Sequence, residues 1–290
     1  MSMKRNRTRK PAKKPARTPT NQFPLSLLGG KGSPAVLPPE LANRLAATTT
    51  GELFQPVRLH YAVSDPAQTE RTLLKLNCMD RDPKRRRLVW LYIKEAAGLS
   101  FPHAPVSGPV VIGEFFRNGP GEIVLNVRSI ERALAAVEFF DRYLPRTVAA
   151  LTHVTVINRL FRFAETKEVT SLHALFENNP LTELHPEELE AKLAGVKEQT
   201  QNAAARSAAM LRIFQELTQQ PEPEMEKFPS HYYEDGIESL RLKLLTAQRV
   251  AQQHWQGNTG YTSFNAIADA IGNDFDPTLP PTPPPAPDDR

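Results

Sequence analysis

The sequence predicts an α+β fold, in which a ferredoxin-like sheet domain of split β-α-β units carries one added strand and is followed by a helical region. Three observations lead to this prediction: a period-two alternation at Val57–Val63, two capped helical segments between strands, and the segment order β-α-β followed by β-β-α-β. Two helices on one side of a small antiparallel sheet are the expected packing for this order.

The first half of the sheet domain begins with Val57–Val63, whose alternation is typical of a half-buried strand. Asp65 and Pro66 then supply a helix N-cap and a proline at the first helical position. The charged residues 80–87 are predicted as a turn. Residues 88–93 are apolar on both faces and are predicted as a central strand.

The second half of the sheet domain contains two strands joined by a hairpin, then a helix and a last strand. The Asn-Gly-Pro-Gly run at 118–121 predicts the hairpin. Ser129 caps the second helix, which has one apolar stripe and stops at Pro145. The strands are expected at residues 110–116, 123–128 and 151–157.

Composition divides the chain into a disordered basic arm (1–39), the sheet domain (40–165), an acidic helical region (166–272) and a disordered Pro-rich tail (273–290). Seven of the 27 prolines lie in residues 1–39 and seven in 277–287, which predicts extended ends. The helical region is expected to pack on the sheet domain or to form an appendage. Its helices are predicted at 187–218, 236–255 and 264–271.

Charge is sorted along the sequence. Residues 1–39 carry nine Lys or Arg and no acid, residues 40–165 have a net charge of +4, and residues 166–290 have a net charge of −9. This distribution suggests a polyanionic partner, with nucleic acid as the first candidate.

The basic arm is the first candidate contact with that partner. Its prolines favour an extended backbone, which can follow a chain of phosphates as a string of point charges. A solubilising tail and an organelle or nuclear address are the alternatives. The arm residues predicted to bind nucleic acid are Lys4, Arg5, Arg7, Arg9, Lys10, Lys13, Lys14 and Arg17.

Two further groups of basic residues are predicted to bind nucleic acid. The first is the run Lys84, Arg85, Arg86 and Arg87, where four adjacent cations need an anion or water beside them. The second follows from strand alternation, which places Arg58, His60, Asn126, Arg128 and His153 on an open sheet face with an aromatic ring from Trp90 or Tyr92. The alternatives are a solvated turn and a face covered by the C-terminal helices.

An enzymatic function has weaker support. His153 and Thr155 match half of the His-x-Thr signature of two-histidine phosphoesterases, but Ala62 replaces the hydroxyl residue after His60. Cys78 is the single cysteine, so an internal disulfide and Cys-based metal sites are excluded. We expect no catalytic residue, no metal and no cofactor.

Residues 88–97 and 137–149 resemble segments of an uncharacterised protein family of cyanobacterial type. The resemblance covers about residues 57–162 and implies a fold and a source, but no activity.

The sequence therefore predicts a non-enzymatic nucleic-acid-binding or scaffolding protein of the cytoplasm, which uses the basic arm and the α+β domain to bind DNA or RNA. No apolar run reaches the roughly 20 residues of a membrane span, so no membrane partner is expected. A protein partner could bind through residues 187–255. The alternative is a protein-protein adaptor without nucleic-acid binding, or a degenerate phosphoesterase.

Overall fold

The computed structural model describes residues 45–103, 108–166, 169, 171–183, 186–199, 202–219 and 221–274. The predictions made for the basic arm and the Pro-rich tail therefore fall almost wholly outside the described residues.

The strands of the described ranges form one eight-stranded sheet with the spatial order β2-β3-β4-β5-β1-β6-β8-β7. The strands are β1 (Val57–Val63), β2 (Met79–Asp82), β3 (Arg87–Leu91), β4 (Val111–Arg117), β5 (Glu122–Val127), β6 (Ala149–Ile157), β7 (Thr182–Glu183) and β8 (Met225–Pro229).

The helices of the same ranges are α1 (Pro66–Leu73), α2 (Ile130–Tyr143), α3 (Phe163–Thr166), α4 (Leu172–Asn178), α5 (Pro186–Gln199), α6 (Ala203–Gln219), α7 (Tyr232–Asp235), α8 (Ile237–Trp255) and α9 (Ser263–Asp274), and a 3₁₀ helix spans Lys94–Gly98. Within this part of the chain, none of the helices has both the length and the apolar character that crossing a membrane requires.

The centre of the sheet has ferredoxin-like topology. Strand β1 is antiparallel to both of its neighbours, β5 and β6. Strands β5 and β6 are therefore parallel, joined through α2 and separated by β1, which is a split β-α-β unit. In the same way β4 and β1 are parallel and separated by β5. The predicted α+β class and ferredoxin-like centre are confirmed.

The sheet extends further at both edges than the sequence predicts. The prediction of a turn over residues 80–87 is wrong at both ends of this segment. Strands β2 and β3 pair there as an antiparallel edge hairpin, with Asp82 opposite Arg87, and only the residues between the two strands form the turn. At the other edge β8 pairs with β6, and β7 pairs with β8 in parallel. These short polar strands lack the apolar alternation that makes inner strands recognisable.

Two helix starts are formed as the sequence predicts. Asp65 Oδ1 accepts hydrogen bonds from the amides of Ala67 (2.8 Å) and Gln68 (3.0 Å), which caps α1. Ser129 Oγ accepts the amide of Arg132 at 3.1 Å and caps α2. The local residues alone thus decide where these two helices begin.

The segment predicted as one helix over residues 187–218 forms two helices, α5 and α6. Asn202 Oδ1 accepts the amide of Ala204 at 2.9 Å, so a second N-cap begins α6. The prediction of a single helix is therefore wrong, because the apolar and polar pattern on each side of Asn202 looks continuous while the cap restarts the helix.

The main core lies between one face of the sheet and helices α1, α2 and α8. Trp90 is fully buried there and packs against Phe139 and Phe140, with ring centres 5.2 and 4.8 Å away. Leu240 and Leu244 of α8 belong to the same core. The boundary drawn at residue 165 from composition thus runs through a single sheet and core, since both β8 and α8 complete them.

A second core cluster lies on the opposite face of the sheet, where α4 packs. Leu172 and Phe176 of α4 contact Ile157, Phe161 and Met225 there. This face was predicted to be either open or covered by the C-terminal helices. The structure covers part of it with α4, while α8 packs on the other face.

A buried ion pair fixes the chain segment that precedes β1. Arg132 Nε donates to Glu52 Oε1 at 2.8 Å, and the two side chains are 1% and 0% exposed. Arg132 also donates to Thr50 Oγ1 (2.6 Å) and to the carbonyl of Val111 (3.2 Å). Burial opposes ionisation of Glu52, but Arg132 and the hydroxyls of Thr48 and Thr50 outweigh it and lower the pKa of Glu52.

Removing one member of this pair is expected to destabilise the fold strongly. Arg132→Ala leaves the Glu52 carboxylate buried without a counter-ion, so the free energy of unfolding should fall by roughly 3–5 kcal/mol. Urea denaturation followed by circular dichroism measures the change. Arg142→Ala, an exposed position on the same helix, is the matched control and should stay within about 0.5 kcal/mol of the wild type. Equal midpoints for both variants would contradict the role given to the pair.

Candidate functional site

The basic run at residues 84–87 forms the tip and the second strand of the β2-β3 hairpin. Lys84, Arg85 and Arg86 are exposed at the tip, where the amide of Arg85 donates to Asp82 Oδ1 at 3.2 Å. Arg86 adopts a left-handed backbone conformation with φ of 52°. The hairpin therefore presents three cations outward on a short, hydrogen-bonded turn.

Arg87 differs from its three neighbours because carboxylates neutralise it. Its Nε lies 3.1 Å from Asp82 Oδ2, and its Nη1 lies 2.6 Å from Glu114 Oε1. The side chain is only 13% exposed. Two carboxylates thus hold the guanidinium of Arg87 in one position on the sheet.

A cavity of about 530 Å³ lies beside Arg87, and we call it the Arg128 cavity. The hairpin contributes Arg85 and Arg87, the residue after β5 contributes Arg128, and β4 contributes Glu114. Arg128 is exposed, and among the described residues its side chain has no carboxylate partner within ion-pair distance. The rest of the described lining comes from the segment before β1 (Ala47, Thr48, Thr49 and Phe54), from β4 (Phe116), and from residues between the end of α3 and the start of α4 (Thr166, Val169, Ser171 and Leu172).

A second cavity, of about 690 Å³, lies between the hairpin, α1 and the end of β4, and we call it the Arg117 cavity. The charged residues that the structure describes in its lining are Arg81, Arg85, Arg86, Arg87, Arg117, Glu70 and Asp82. Glu70 joins two of these arginines, with oxygen atoms 2.7 Å from Arg81 and 2.9 Å from Arg117. Glu70 thereby holds α1 against the ends of β2 and β4.

The two cavities adjoin because Arg85, Arg87 and Phe116 line both of them. Together they form a surface that we call the arginine groove. Six arginines and three carboxylates line it among the residues that the structure describes, and these give an excess of three positive charges. Phe116 stacks on His173 of α4 with ring centres 4.4 Å apart, so one side of this ring is already covered.

Arg58 lies on the predicted face of the sheet but not on a surface. It is 5% exposed, its Nε donates to Asn126 Oδ1 (2.8 Å), and its Nη1 donates to Glu177 Oε1 (2.7 Å). Phe176 packs over the guanidinium at 4.6 Å. The expectation that Arg58 faces an open side is therefore wrong, because α4 covers it and supplies its counter-ion.

The predicted aromatic platform is not formed either. Trp90 is fully buried in the main core, and the Tyr92 hydroxyl donates to the carbonyl of Leu99 at 2.6 Å while its ring packs on Phe101. Strand β3 turns Trp90 toward the helices, so neither ring is presented beside the cations of the groove.

His60 and His153 are cross-strand neighbours on β1 and β6, as the two-histidine hypothesis requires. However, His60 is 5% exposed and both of its ring nitrogens are engaged, Nδ1 with Glu122 Oε1 (2.9 Å) and Nε2 with Thr155 Oγ1 (2.8 Å). A histidine held in this way has no nitrogen available for a substrate proton, so the geometry gives no support to acid-base catalysis.

Several residues of the arginine groove, above all Arg81 and Arg117, are not among those predicted from the sequence. Arg117 has no basic neighbour in the sequence, and Arg81 stands between two aspartates, three residues before the basic run at 84–87. The available signal was the hairpin pairing, since a turn rich in arginine lies close to the ends of the strands beside it. Within the described ranges, no group of three His, Cys, Asp or Glu side chains could hold a metal ion.

Comparisons of the chain with protein-family models, with curated proteins and with solved structures found no match. The resemblance of residues 57–162 to a cyanobacterial-type family therefore stays a prediction, and the groove has to be interpreted from its own chemistry.

The buried histidine on β1 makes stability depend on pH. Burial, opposed by Glu122, lowers the pKa of His60 to about 4 from its ordinary 6.5. Between these two values the unfolded chain binds the proton and the folded chain does not, so stability falls as the pH is lowered through this window. From about pH 7 to 4.5, the wild type should lose about 2 kcal/mol more than His60→Gln, whose side chain does not titrate.

Urea unfolding at both pH values measures this difference. Burial also lowers the pKa values of His153 and His173. The wild type and His60→Gln both keep these two residues, so their effect cancels in the comparison. Parallel losses in the wild type and His60→Gln would show that His60 does not titrate inside the fold.

Proposed function

We propose that this protein is a non-enzymatic nucleic-acid-binding or scaffolding protein whose arginine groove and basic arm bind the phosphate backbone. The observation that carries the proposal is the convergence of Arg85, Arg87 and Arg128 in one cavity, next to a second cavity with three more arginines. Arginine is the side chain best suited to phosphate, because its planar fork donates two parallel hydrogen bonds.

The size and spacing of the groove favour a polymer of phosphates. Each cavity falls within the 300–1,000 Å³ typical of sites for small organic ligands, and they share a wall formed by Arg85, Arg87 and Phe116. Two such cavities in contact suit a ligand that repeats a charged unit, which a nucleic acid does. The net charge of the groove is positive, as such a ligand requires.

The proposed binding is independent of sequence. Base recognition needs donors and acceptors that meet base edges, or exposed rings on which bases stack. Arginines make up six of the nine charged side chains in the described lining. Of the candidate rings, Trp90 is buried in the main core and Tyr92 packs on Phe101. DNA and RNA backbones would both be ligands. The single cysteine, Cys78, is buried as a thiol and suits the cytoplasm as the site of action.

The protein-protein adaptor is the second candidate, and the exposure of α5 and α6 favours it. No side chain described on these two helices is buried. In contrast, Leu240 and Leu244 of α8 lie in the main core. Within the predicted partner region of residues 187–255, a protein partner would therefore use α5 and α6 instead of α8.

A salt series tests nucleic-acid binding by the arm. If six arm cations neutralise phosphates, log affinity should fall with log salt concentration with a slope of about −4 to −5, and deleting residues 1–39 should flatten it. Fluorescence anisotropy with single- and double-stranded DNA and RNA measures the slope. No binding of any of these nucleic acids at low salt would refute the proposal and favour the adaptor.

The contribution of the groove has its own test. Arg85→Ala combined with Arg86→Ala removes two exposed cations from the hairpin tip and should make the salt dependence shallower by about 2, uniformly across sequences. Arg142→Ala removes one exposed cation from α2 that lines neither cavity, and should leave the slope as it is. Equal slopes in all three proteins would restrict binding to the arm.

A further inference from the structure

We infer that the Arg128 cavity is an end-binding site, which takes the terminal nucleotide of a strand by its phosphomonoester. This inference rests on the proposed function and deepens it. It concerns the cavity lined by Arg85, Arg87 and Arg128, which Thr49 and Ser171 also line.

The charge of the cavity matches a terminal phosphate better than an internal one. Among its described lining residues, three arginines and one carboxylate, that of Glu114, give an excess of two positive charges. A phosphodiester inside a strand carries one negative charge, whereas a phosphomonoester carries about 1.5 to 2 near neutral pH. A cavity with this charge therefore gains most from the end of a strand.

The roles of the three arginines differ in a way that suits a bound anion. Glu114 and Asp82 already neutralise Arg87 and hold it as a fixed donor in the lining of the cavity. Arg85 and Arg128 are exposed, and no ion pair within the described residues occupies them. These two guanidinium groups are the ones that an incoming phosphate would neutralise.

Other residues of the lining add a hydroxyl donor and an apolar surface. Ser171 Oγ accepts the amide of Ala174 at 3.4 Å, so the hydroxyl proton remains for an acceptor in the cavity. Phe54 and Leu172 contribute apolar lining from the second core cluster. The volume of about 530 Å³ accommodates a sugar and a base in addition to the phosphate.

The walls are held in place before any ligand binds. The carbonyl of Arg128 accepts the amide of Gln55 at 3.1 Å, and the next residue, Ser129, caps α2. The wall that carries Thr49 is fixed through Glu52 and Arg132. Such preorganisation lowers the entropy that binding has to overcome.

Anisotropy measurements on the full chain test the inference with a short oligonucleotide that bears a 5′-phosphate, a 3′-phosphate or only hydroxyl ends. Charge-assisted hydrogen bonds should favour one phosphorylated end by at least about tenfold near pH 7.5. Near pH 5.5 the terminal phosphate is mostly a monoanion, and the preference should shrink. Adenosine monophosphate, added as a competitor, distinguishes a strand end from a free nucleotide.

The matched variants are Arg128→Ala and Arg117→Ala. Arg128 lines only the cavity in question, so its loss should abolish the preference for a phosphorylated end. Arg117 lines only the neighbouring cavity. Its loss should therefore lower the affinity for phosphorylated and hydroxyl-ended oligonucleotides by the same factor, so that the ratio of the two affinities is unchanged. This pattern supports the inference.

Two other outcomes have distinct meanings. Tight binding with equal affinity for phosphate and hydroxyl ends would overturn the end-binding site while leaving the proposed function intact. Binding of adenosine monophosphate that depends on Arg128, with no binding of any oligonucleotide, would overturn the proposed function and replace the strand end by a free nucleotide.

Discussion

The buried ion pair between Glu52 and Arg132 is the interaction on which the architecture of the groove depends. It joins the segment before β1 to helix α2 and, through the carbonyl of Val111, to strand β4. Both charges are removed from water, so each is tolerable only because the other is present. The pair therefore sets the distance between the wall that carries Thr49 and the end of β5 that carries Arg128.

The need of a buried charge for a counter-ion also distinguishes the other arginines according to how deeply they are buried. Beneath helices and strands, each guanidinium has a carboxylate partner, as Arg58 has Glu177 and Arg87 has Glu114. At the rim of the groove, Arg85 and Arg128 are exposed to water and need no such partner. The result is a scaffold of neutralised buried charges surrounded by cations that a phosphate can reach, which is the physical basis of the proposed function.

Part of the groove could be predicted from the sequence, and the reasons are specific. The four-residue run that contains Arg85 and Arg87 is visible as a local excess of charge, and Arg128 follows from strand alternation before a capped helix. Alternation fails for Arg58, because it assigns a side chain to a face without showing what covers that face. It also gives no sign of Arg81 and Arg117, which reach the groove only through the pairing of β2 and β4 with their neighbours.

The sequence by itself determined the elements whose signals are local: the alternation of β1, the N-caps Asp65 and Ser129, and the α+β order that yields the ferredoxin-like centre. Tertiary structure alone decided the edge strands β7 and β8, the packing of α4 over Arg58, and the position of Arg85 and Arg128 in the lining of one cavity. These features depend on contacts between residues far apart in the chain, and such contacts leave no periodic trace in the sequence because packing, not propensity, stabilises them.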